Sequence, residues 1–439
     1  MQSFSFLRFL IEFKILHNQI VWKGVAVMKR ISTLILVICL LLSFVGCQKE
    51  ELVRYGENLM EGVRGKKPDT AQLQADCPEV TDFAVRLFKA NVQAGENVLV
   101  SPLSVLYALS MTANGADGET LAQMETVLGL PAETLNAWTY TYLRQFSKDD
   151  GLYLANAIWF EDDPALTVQA DFLQTNADYY GADIYKAPFN GATCEDINRW
   201  VEENTNGMIQ NALDEIPVDA VMYLLNAQAF DVEWEEEYQH RQLRDGTFTT
   251  ESGEEVNVQM MRSQESWYLE DANATGFLKP YKGGKFAFVA LLPNAGVTVE
   301  EYIDSLSAQQ LQQMLSQPQE ITVNASIPAF EAAYEAPMKE ALCQMGMSDA
   351  FDMLAADFSR MATHDVWNVC IGRLLHKTCI SVTAQGTKAA AETTVEMDAP
   401  SAPPPGLEKD VILDRPFLYM IIDCENQIPI FVGTMMNPG

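Results

Sequence analysis

The chain has 439 residues, of which 48% are hydrophobic and 20% charged, so it can bury a large core and is not disordered as a whole. Its 29 basic and 60 acidic residues give a formal net charge of −31. This charge argues against nucleic acid, heparin-like polymers and anionic membrane surfaces as partners, because each would be repelled.

The first predicted segments are targeting signals. Lys29 and Arg30 precede an apolar run, 31–45, which ends at Gly46 and Cys47; this order is typical of a secretory signal peptide. The run is shorter than the ~20 residues of a membrane span. Residues 44–47 resemble a bacterial lipoprotein cleavage box, which implies that Cys47 carries lipid. We therefore interpret 1–27 as an upstream mis-start and 28–46 as a signal peptide; the alternative is a buried apolar helix with an incidental cysteine.

A tether is predicted to follow. Residues 48–51 (Gln-Lys-Glu-Glu) resemble the tag that sends lipoproteins of the Bacteroides group to the cell exterior, although a solvated charge run would look the same. Gly56, Gly62, Gly65 and Pro68 lie among charges in the same region. We therefore predict a lipidated cysteine and flexible tether over 47–76.

Helices are predicted to fill much of the first 200 residues, and strands the remainder. The apolar positions between Val80 and Phe88 have helical spacing. Ser101 and Pro102 can cap and begin a helix, and Asn114-Gly115 can end it. Strand-like runs cover 221–230, 285–292, 370–383, 417–422 and 428–433. This distribution predicts an α+β fold with a large sheet.

Enzyme motifs are scarce. The sequence has no G-x-x-x-x-G-K-[ST], H-E-x-x-H or G-x-S-x-G motif. Eight cysteines are too few for a disulfide scaffold, and the four histidines have no ligand-spaced partners. We therefore predict that the protein is not an enzyme and binds neither a metal nor a cofactor.

Residues 387–399 alternate between two kinds of side chain. One set is small or apolar: Thr387, Ala389, Ala391, Thr393, Val395, Met397 and Ala399. The other is mostly charged: Lys388, Ala390, Glu392, Thr394, Glu396 and Asp398. A period of two predicts a strand with one buried face, about 43 Å long. Because prolines follow at 400 and 403–405, the pattern fits either a spare strand held outside a sheet or a plain edge strand before a turn.

This segment belongs to an ordered set of motifs that resembles the serpin family of protease inhibitors. Gly386-Thr387 with the alanines 389–391 matches the hinge of the serpin reactive loop, and 411–420 matches the C-terminal signature. Further matches follow in the expected order: 97–104, Asn226 with Trp234, 280–284 and 431–438. The resemblance implies a single α+β domain over 77–439, with three β-sheets, eight to nine helices and an exposed reactive loop.

The resemblance also implies a suicide-substrate mechanism. A protease cuts the loop and forms an acyl-enzyme, and it is inactivated when the freed loop end inserts as a new strand of the main sheet. Small inward residues would enter easily, and the outward charges would remain in water. The predicted reactive-loop hinge is Gly386, Thr387, Lys388, Ala389, Ala390, Ala391, Glu392 and Thr393.

A sheet-opening cluster is the second site that the resemblance implies. Ser101, Ser104, Asn226 and His376 align with the polar cluster beneath the opening sheet, and Trp234 aligns with the aromatic residue where the hinge first enters. Considered alone, His376 fits a satisfied core histidine and Trp234 an ordinary core tryptophan. The chain also departs from the family: Ala384 replaces the usual Glu, and Ala329 replaces the Lys that pairs with it in some relatives.

The target specificity follows from the loop composition. The loop is about five residues longer than usual, and bonds beside proline are poor protease substrates. The candidate scissile region is therefore Met397, Asp398, Ala399, Pro400, Ser401 and Ala402. Since neither Lys nor Arg lies between Lys388 and Lys409, an elastase- or subtilisin-like target is expected rather than a trypsin-like one.

Together these features predict an irreversible inhibitor of serine endopeptidases, with cysteine proteases as a second target class. The protein would be an outer membrane lipoprotein exposed on a bacterial cell surface, a monomer, and in contact with the membrane only through its lipid anchor. The alternative is a non-inhibitory serpin that acts as a surface binding module, which the proline-rich loop and Ala384 favour.

Overall fold

The helices are concentrated in the first half of the chain, as predicted. The computed structural model describes residues 56–68, 77–216, 220–336, 338–387 and 408–439, so the predicted signal peptide and the predicted lipidation site, Cys47, lie outside the described residues. Within these ranges the chain forms nine α-helices. They are α1 (Pro78–Asn91), α2 (Pro102–Ala113), α3 (Gly118–Leu128), α4 (Ala132–Leu143), α5 (Ala170–Tyr179), α6 (Gly191–Asn204), α7 (Val299–Ser305), α8 (Ala308–Ser316) and α9 (Met338–Met345).

Nineteen strands accompany the helices in the described residues. They are β1 (Glu57–Asn58), β2 (Val98–Val100), β3 (Leu152–Glu161), β4 (Leu166–Val168), β5 (Asp183–Ala187), β6 (Met222–Phe230), β7 (Val232–Glu233), β8 (Leu243–Thr249), β9 (Glu255–Glu270), β10 (Ala274–Pro280), β11 (Phe286–Pro293), β12 (Gln319–Pro328), β13 (Phe330–Ala336), β14 (Ala362–His364), β15 (Arg373–Val382), β16 (Gly386–Thr387), β17 (Glu408–Ile412), β18 (Phe417–Asp423) and β19 (Ile428–Met435).

The strands form three sheets. The main sheet has eight strands in the order β1-β5-β3-β6-β15-β16-β7, and β13 also pairs with β15. The second has nine strands in the order β17-β12-β9-β10-β11-β18-β19-β2, with β8 paired to β9, and β4 and β14 form the third. Three sheets and nine helices confirm the predicted α+β fold class.

The local predictions hold because they rest on signals close together in sequence. Ser101 caps α2, since its hydroxyl accepts from the N–H of Ser104 at 3.3 Å, and Asn114 ends the helix. Each of the five strand-like runs contains a strand.

The core lies on both faces of the main sheet. All twelve residues of α2 are buried, which places this helix in the interior, beneath the sheet. On the opposite face α6 packs Ile197 and Trp200 against Leu225 and Leu375 of the central strands. None of the helices in the described residues is long and apolar enough to cross a membrane.

Residues 57–59 bond to the edge of the main sheet and residues 65–66 lie against α5, so the tether prediction is wrong for 56–68. β1 pairs antiparallel with β5, and the N–H of Leu59 donates to the carbonyl oxygen of Ile184 at 2.9 Å. The N–H of Lys66 donates to Asp178 at 2.7 Å. Two of the glycines that suggested flexibility serve close packing: a Cβ on Gly65 would lie 2.2 Å from the carbonyl oxygen of Ala177, and one on Gly56 would lie 3.1 Å from the ring of Trp159. Gly62 instead adopts a left-handed backbone conformation, with φ of 81°. The folded unit therefore begins ahead of the predicted boundary at residue 77.

Candidate functional site

The junction between β6 and β15, called here the seam, is the centre of the candidate site. The two strands are parallel and directly hydrogen-bonded, with residues 223–229 opposite 373–379. Farther along, β16 lies between β15 and β7, so that Thr387 is opposite both Val382 and Val232. The sheet is therefore closed along most of the seam and already holds one additional strand at one end, called here the hinge end.

The first two predicted hinge residues are built into the hinge end. A Cβ on Gly386 would lie 2.3 Å from the carbonyl oxygen of Val232, so a larger residue would push the strands apart. Thr387 is fully buried, and its hydroxyl lies 2.6 Å from the hydroxyl of Tyr281. The remaining hinge residues, 388–393, and the candidate scissile region, 397–402, lie outside the described residues.

Trp234 lies at the hinge end rather than in the middle of the seam. Its indole Nε1 donates to the carbonyl oxygen of Thr383, and its backbone N–H donates to that of Gln385, both at 2.9 Å. Its ring stacks on Tyr281, with centroids 4.4 Å apart and planes 12° apart. Trp234 therefore holds the turn that leads into the hinge.

A buried ion pair supports the aromatic residues of the hinge end. Lys279 Nζ lies 3.0 Å from Glu265 Oε1, and both side chains are less than a tenth exposed. The ammonium group also lies 4.5 Å from the ring centroid of Tyr238 and 5.3 Å from that of Trp234, which is a cation–π arrangement. Tyr238 donates its backbone N–H to the carbonyl oxygen of Ala384 at 2.9 Å. The ion pair thus supports Tyr238, which in turn holds the turn at Ala384, the position where most serpins have a glutamate.

Four of the predicted cluster residues meet in the middle of the seam. Asn226 on β6 is directly opposite His376 on β15, and Oδ1 of the amide contacts Nδ1 of the imidazole. Asn226 Nδ2 donates to the carbonyl oxygen of Ser104 at 2.7 Å and to Asn156 Oδ1 at 2.6 Å. The N–H of Ser101 donates to His376 Nε2 at 3.0 Å. These five buried residues, called here the seam cluster, join β3, β6 and β15 to the start of α2.

His376 acts in this network as a neutral bridge. Because Nε2 accepts from Ser101, the proton resides on Nδ1 and is donated to the amide oxygen of Asn226. Burial lowers the pKa of His376 to about 3. The side chain is fully buried, so it has no access to a substrate and serves the structure rather than acid–base chemistry.

Sequence reasoning missed several residues of the site. Asn156, Lys279 and Glu265 belong to none of the matched motifs. Tyr281 lies inside the matched segment 280–284, but nothing in the sequence assigned it a role in the site. Glu233 lies on β7 opposite Gly386, a position that its sequence neighbours, which are mostly acidic, do not indicate. A buried amide or charge in an apolar strand is the one signal that could have indicated Asn156 or Lys279.

The six cysteines in the described residues are free thiols. Burial is the main cause that raises the pKa of Cys379, which lies on β15, and of Cys424. Within the same ranges, His, Cys, Asp and Glu side chains form no group of three placed to hold a metal.

Comparison with known proteins assigns the family. Residues 78–438 match the model of the serpin family, described as serine protease inhibitors. The chain belongs to the serpin family. Its relatives include an uncharacterized serpin-like protein of Thermococcus kodakarensis, 30% identical over 82% of this chain and 85% of the relative. Neuroserpin of Mus musculus is 27% identical, over 82% and 91% of the two chains.

Solved serpin structures agree with this assignment. The thermophilic serpin tengpin in its native state is 42% identical and superposes with a TM-score of 0.83. The alignment covers 87% of this chain and 99% of the tengpin chain. Tengpin in its latent state is 40% identical and superposes with a TM-score of 0.73. This alignment covers 84% of this chain and 99% of the tengpin chain. This serpin is thus closer in shape to the native than to the latent form. Family membership supports protease inhibition, and not catalysis, as the general function.

Proposed function

We propose that this serpin is an irreversible, suicide-substrate inhibitor of serine endopeptidases, with cysteine proteases as a second target class. The observation that carries the proposal is the state of the seam, which is closed from residue 223 to 229 yet already admits Thr387 at the hinge end. Cleavage beyond the hinge would let the loop continue along the path that Thr387 begins. Strand insertion would then carry the acylated protease with it.

The register of Thr387 predicts where each inserted residue would lie. Extending its pairings with Val382 and Val232 along the seam gives three further positions: Ala389 between Phe230 and Ile380, Ala391 between Gln228 and Thr378, and Thr393 between Asn226 and His376. Since a hydroxyl both donates and accepts, Thr393 could replace the contact between Asn226 and His376 as the seam opens. Small residues enter where the strands are now directly paired.

The same register constrains the scissile bond. Glu396 would be opposite Arg373, the first residue of β15, so the inserted strand fills the seam only if cleavage occurs after that position. The Met397–Asp398, Asp398–Ala399 and Ser401–Ala402 bonds all meet this condition. Their small or apolar neighbours favour elastase- and subtilisin-like proteases.

The location proposed for this activity is the bacterial cell surface. The lipoprotein-like box that ends at Cys47 supports an outer membrane lipid anchor, and several acyl chains at about 0.8 kcal/mol per buried methylene hold a protein firmly. An inhibitor there would protect the cell from proteases in its surroundings. The anchor is tested by membrane fractionation: the Cys47→Ser variant should be lost from the outer membrane fraction, and an unchanged distribution would refute the anchor.

The inhibitory mechanism is tested by mixing the purified protein with elastase, chymotrypsin, subtilisin, trypsin and papain. Trapping predicts a covalent complex that survives SDS, and mass spectrometry of the released C-terminal peptide identifies the scissile bond. Insertion also predicts that loop-cleaved protein melts well above the intact form. Clean cleavage with neither a complex nor a rise in Tm would instead favour a non-inhibitory binding module.

A further inference from the structure

The chain enters the folded unit at the end of the main sheet that lies opposite the hinge end. At this end, strand pairing aligns one row of residues across β1, β5, β3, β6 and β15. The paired residues are Glu57–Lys186, Lys186–Phe160 and Phe160–Met222, and the next residue of β6 gives the pair Tyr223–Arg373. At about 4.8 Å per gap this row is about 19 Å wide. Val382, beside the hinge, lies nine residues farther along β15, or about 30 Å away. The row from Glu57 to Arg373 is called here the entry end.

Exposed hydrophobic side chains are concentrated at this entry end. The large exposed hydrophobic residues of the described ranges are Trp267, Met353, Leu354, Val366, Trp367 and Ile412. Val366 and Trp367 lie in the segment that leads into β15. The N–H of Ile371 donates to the carbonyl oxygen of Ala350 at 2.9 Å, which brings the turn with Met353 and Leu354 to the start of the same strand. Four of the six therefore lie at or next to the entry end.

The turn that carries Val366 and Trp367 is well ordered by its contacts. The Trp367 ring stacks on His364, with centroids 3.9 Å apart and planes 12° apart, and the N–H of Val366 donates to His364 Nδ1 at 3.1 Å. His364 Nε2 lies 3.3 Å from Asp163, just beyond the end of β3. Val366 is nonetheless 75% exposed and Trp367 40%. A surface held in place before binding loses little conformational entropy when it binds.

We propose that Val366 and Trp367, together with Met353 and Leu354, form a patch that rests on the lipid bilayer surface in the uncleaved protein. This inference depends on the proposed lipidation of Cys47. Gly56 is nine positions after Cys47, so Gly56, at the β1 side of the entry end, can lie at most about 30 Å from the anchor. Tryptophan favours the bilayer interface, where its ring is partly apolar and partly polar.

The proposal adds a second membrane contact to the lipid anchor and sets the orientation of the molecule. With the entry end on the bilayer, the hinge end faces away from the cell, where a protease can reach the loop. Because the chain is strongly acidic, the patch should favour zwitterionic over anionic lipid. Loop insertion would deliver a protease to the entry end, so the docked state applies before cleavage.

The test uses full-length lipidated protein reconstituted into phosphatidylcholine vesicles whose acyl chains carry bromine near the headgroups. The quenching of tryptophan fluorescence is measured against unbrominated vesicles, after flotation has confirmed that the protein is bound. Trp367→Ser is compared with wild type, and Trp267→Ser is the matched control because Trp267 is 39% exposed but lies on β9 of another sheet. Equal urea midpoints establish that the variants are folded.

Docking predicts that Trp367→Ser loses most of the quenched fluorescence, whereas Trp267→Ser keeps it. If wild type and Trp367→Ser both float with the vesicles and show equal quenching, the docking of the patch on the bilayer is refuted, whereas the lipid anchor is not. Wild type that fails to float would overturn the anchor, and the patch with it. A dimer in detergent that Trp367→Ser abolishes, without any quenching in vesicles, would assign the patch to a second copy and refute lipid docking.

Discussion

Asn226 lies directly opposite His376 across the seam, and the contact between their side chains joins the two strands that the proposed loop insertion would separate. The same amide also holds Ser104 at the start of α2 and Asn156 on β3. We therefore expect this one buried side chain to contribute both to the stability of the closed sheet and to its resistance to opening.

The Asn226→Ala variant is expected to weaken the closed seam. The substitution leaves the Nδ1–H of His376 and the side-chain Oδ1 of Asn156 without their partners. Each unsatisfied buried group lowers the free energy of unfolding by about 1–3 kcal/mol. A lower urea midpoint and spontaneous conversion to a non-inhibitory, heat-stable form should follow. Asn198→Ala is the control because Asn198 bonds Leu213, away from the seam; it should lose stability without converting. Equal conversion in both variants would contradict the role of the seam cluster.

His376 should contribute to the way the free energy of unfolding depends on pH. An unfolded histidine binds a proton near pH 6.5, whereas burial lowers the pKa of the folded group to about 3. Between these values the unfolded state holds more protons, so the free energy of unfolding falls as the pH falls, by up to about 1.4 kcal/mol per pH unit. Urea midpoints between pH 6.5 and 5 should show a smaller slope in His376→Gln; an unchanged slope would refute the assignment.

Charge on the inward face of the loop should abolish trapping. Ala391→Arg would place a guanidinium group between Gln228 and Thr378 in the inserted strand, where a buried and unpaired charge is strongly unfavourable. The variant should be cleaved as a substrate without forming an SDS-stable complex. Ala390→Arg is the matched control, since it belongs to the outward set and should still trap. Trapping by both variants would show that the alternation does not govern insertion.

Gln228 is a buried and unsatisfied amide in the main sheet, and we expect it to destabilise the uncleaved protein. It is fully buried beneath the sheet, and neither its amide nitrogen nor its oxygen has a hydrogen-bond partner in the described structure. Gln228→Met keeps the approximate volume and removes the unsatisfied amide, so the unfolding free energy of intact protein should rise by about 1–3 kcal/mol. Calorimetry of intact and cleaved protein tests this; a fall in stability would mean that the amide is satisfied.

The ion pair at the hinge end can be tested by a double-mutant cycle. Lys279→Met alone leaves Glu265 buried without its partner and should destabilise the protein by about 3–5 kcal/mol. Adding Glu265→Leu removes the stranded carboxylate and should restore most of that loss. Urea unfolding of the four proteins measures the coupling, and additive effects would show that the pair does not act as a unit.

Prediction from sequence succeeded where a feature depends on neighbours along the chain. Ser101 and Pro102 begin α2 because capping involves residues three apart, and the central strands follow from continuous apolar runs. It failed for residues 56–68, because glycine and charge suggest flexibility unless a sheet edge offers partners. Lys279 and Glu265 were overlooked for a similar reason: fourteen positions apart in sequence, they meet only because β9 and β10 pair.

The sequence by itself determined the family and the residue types that line the seam, and it predicted a spare alternating strand, since these depend on composition, periodicity and order. Only the tertiary structure decided that the seam is closed, that Thr387 is already inside the sheet, and that the chain enters at the end opposite the hinge. Each of these depends on which strands become neighbours and in what register. Those pairings are set by long-range hydrogen bonds and burial, which no local pattern encodes.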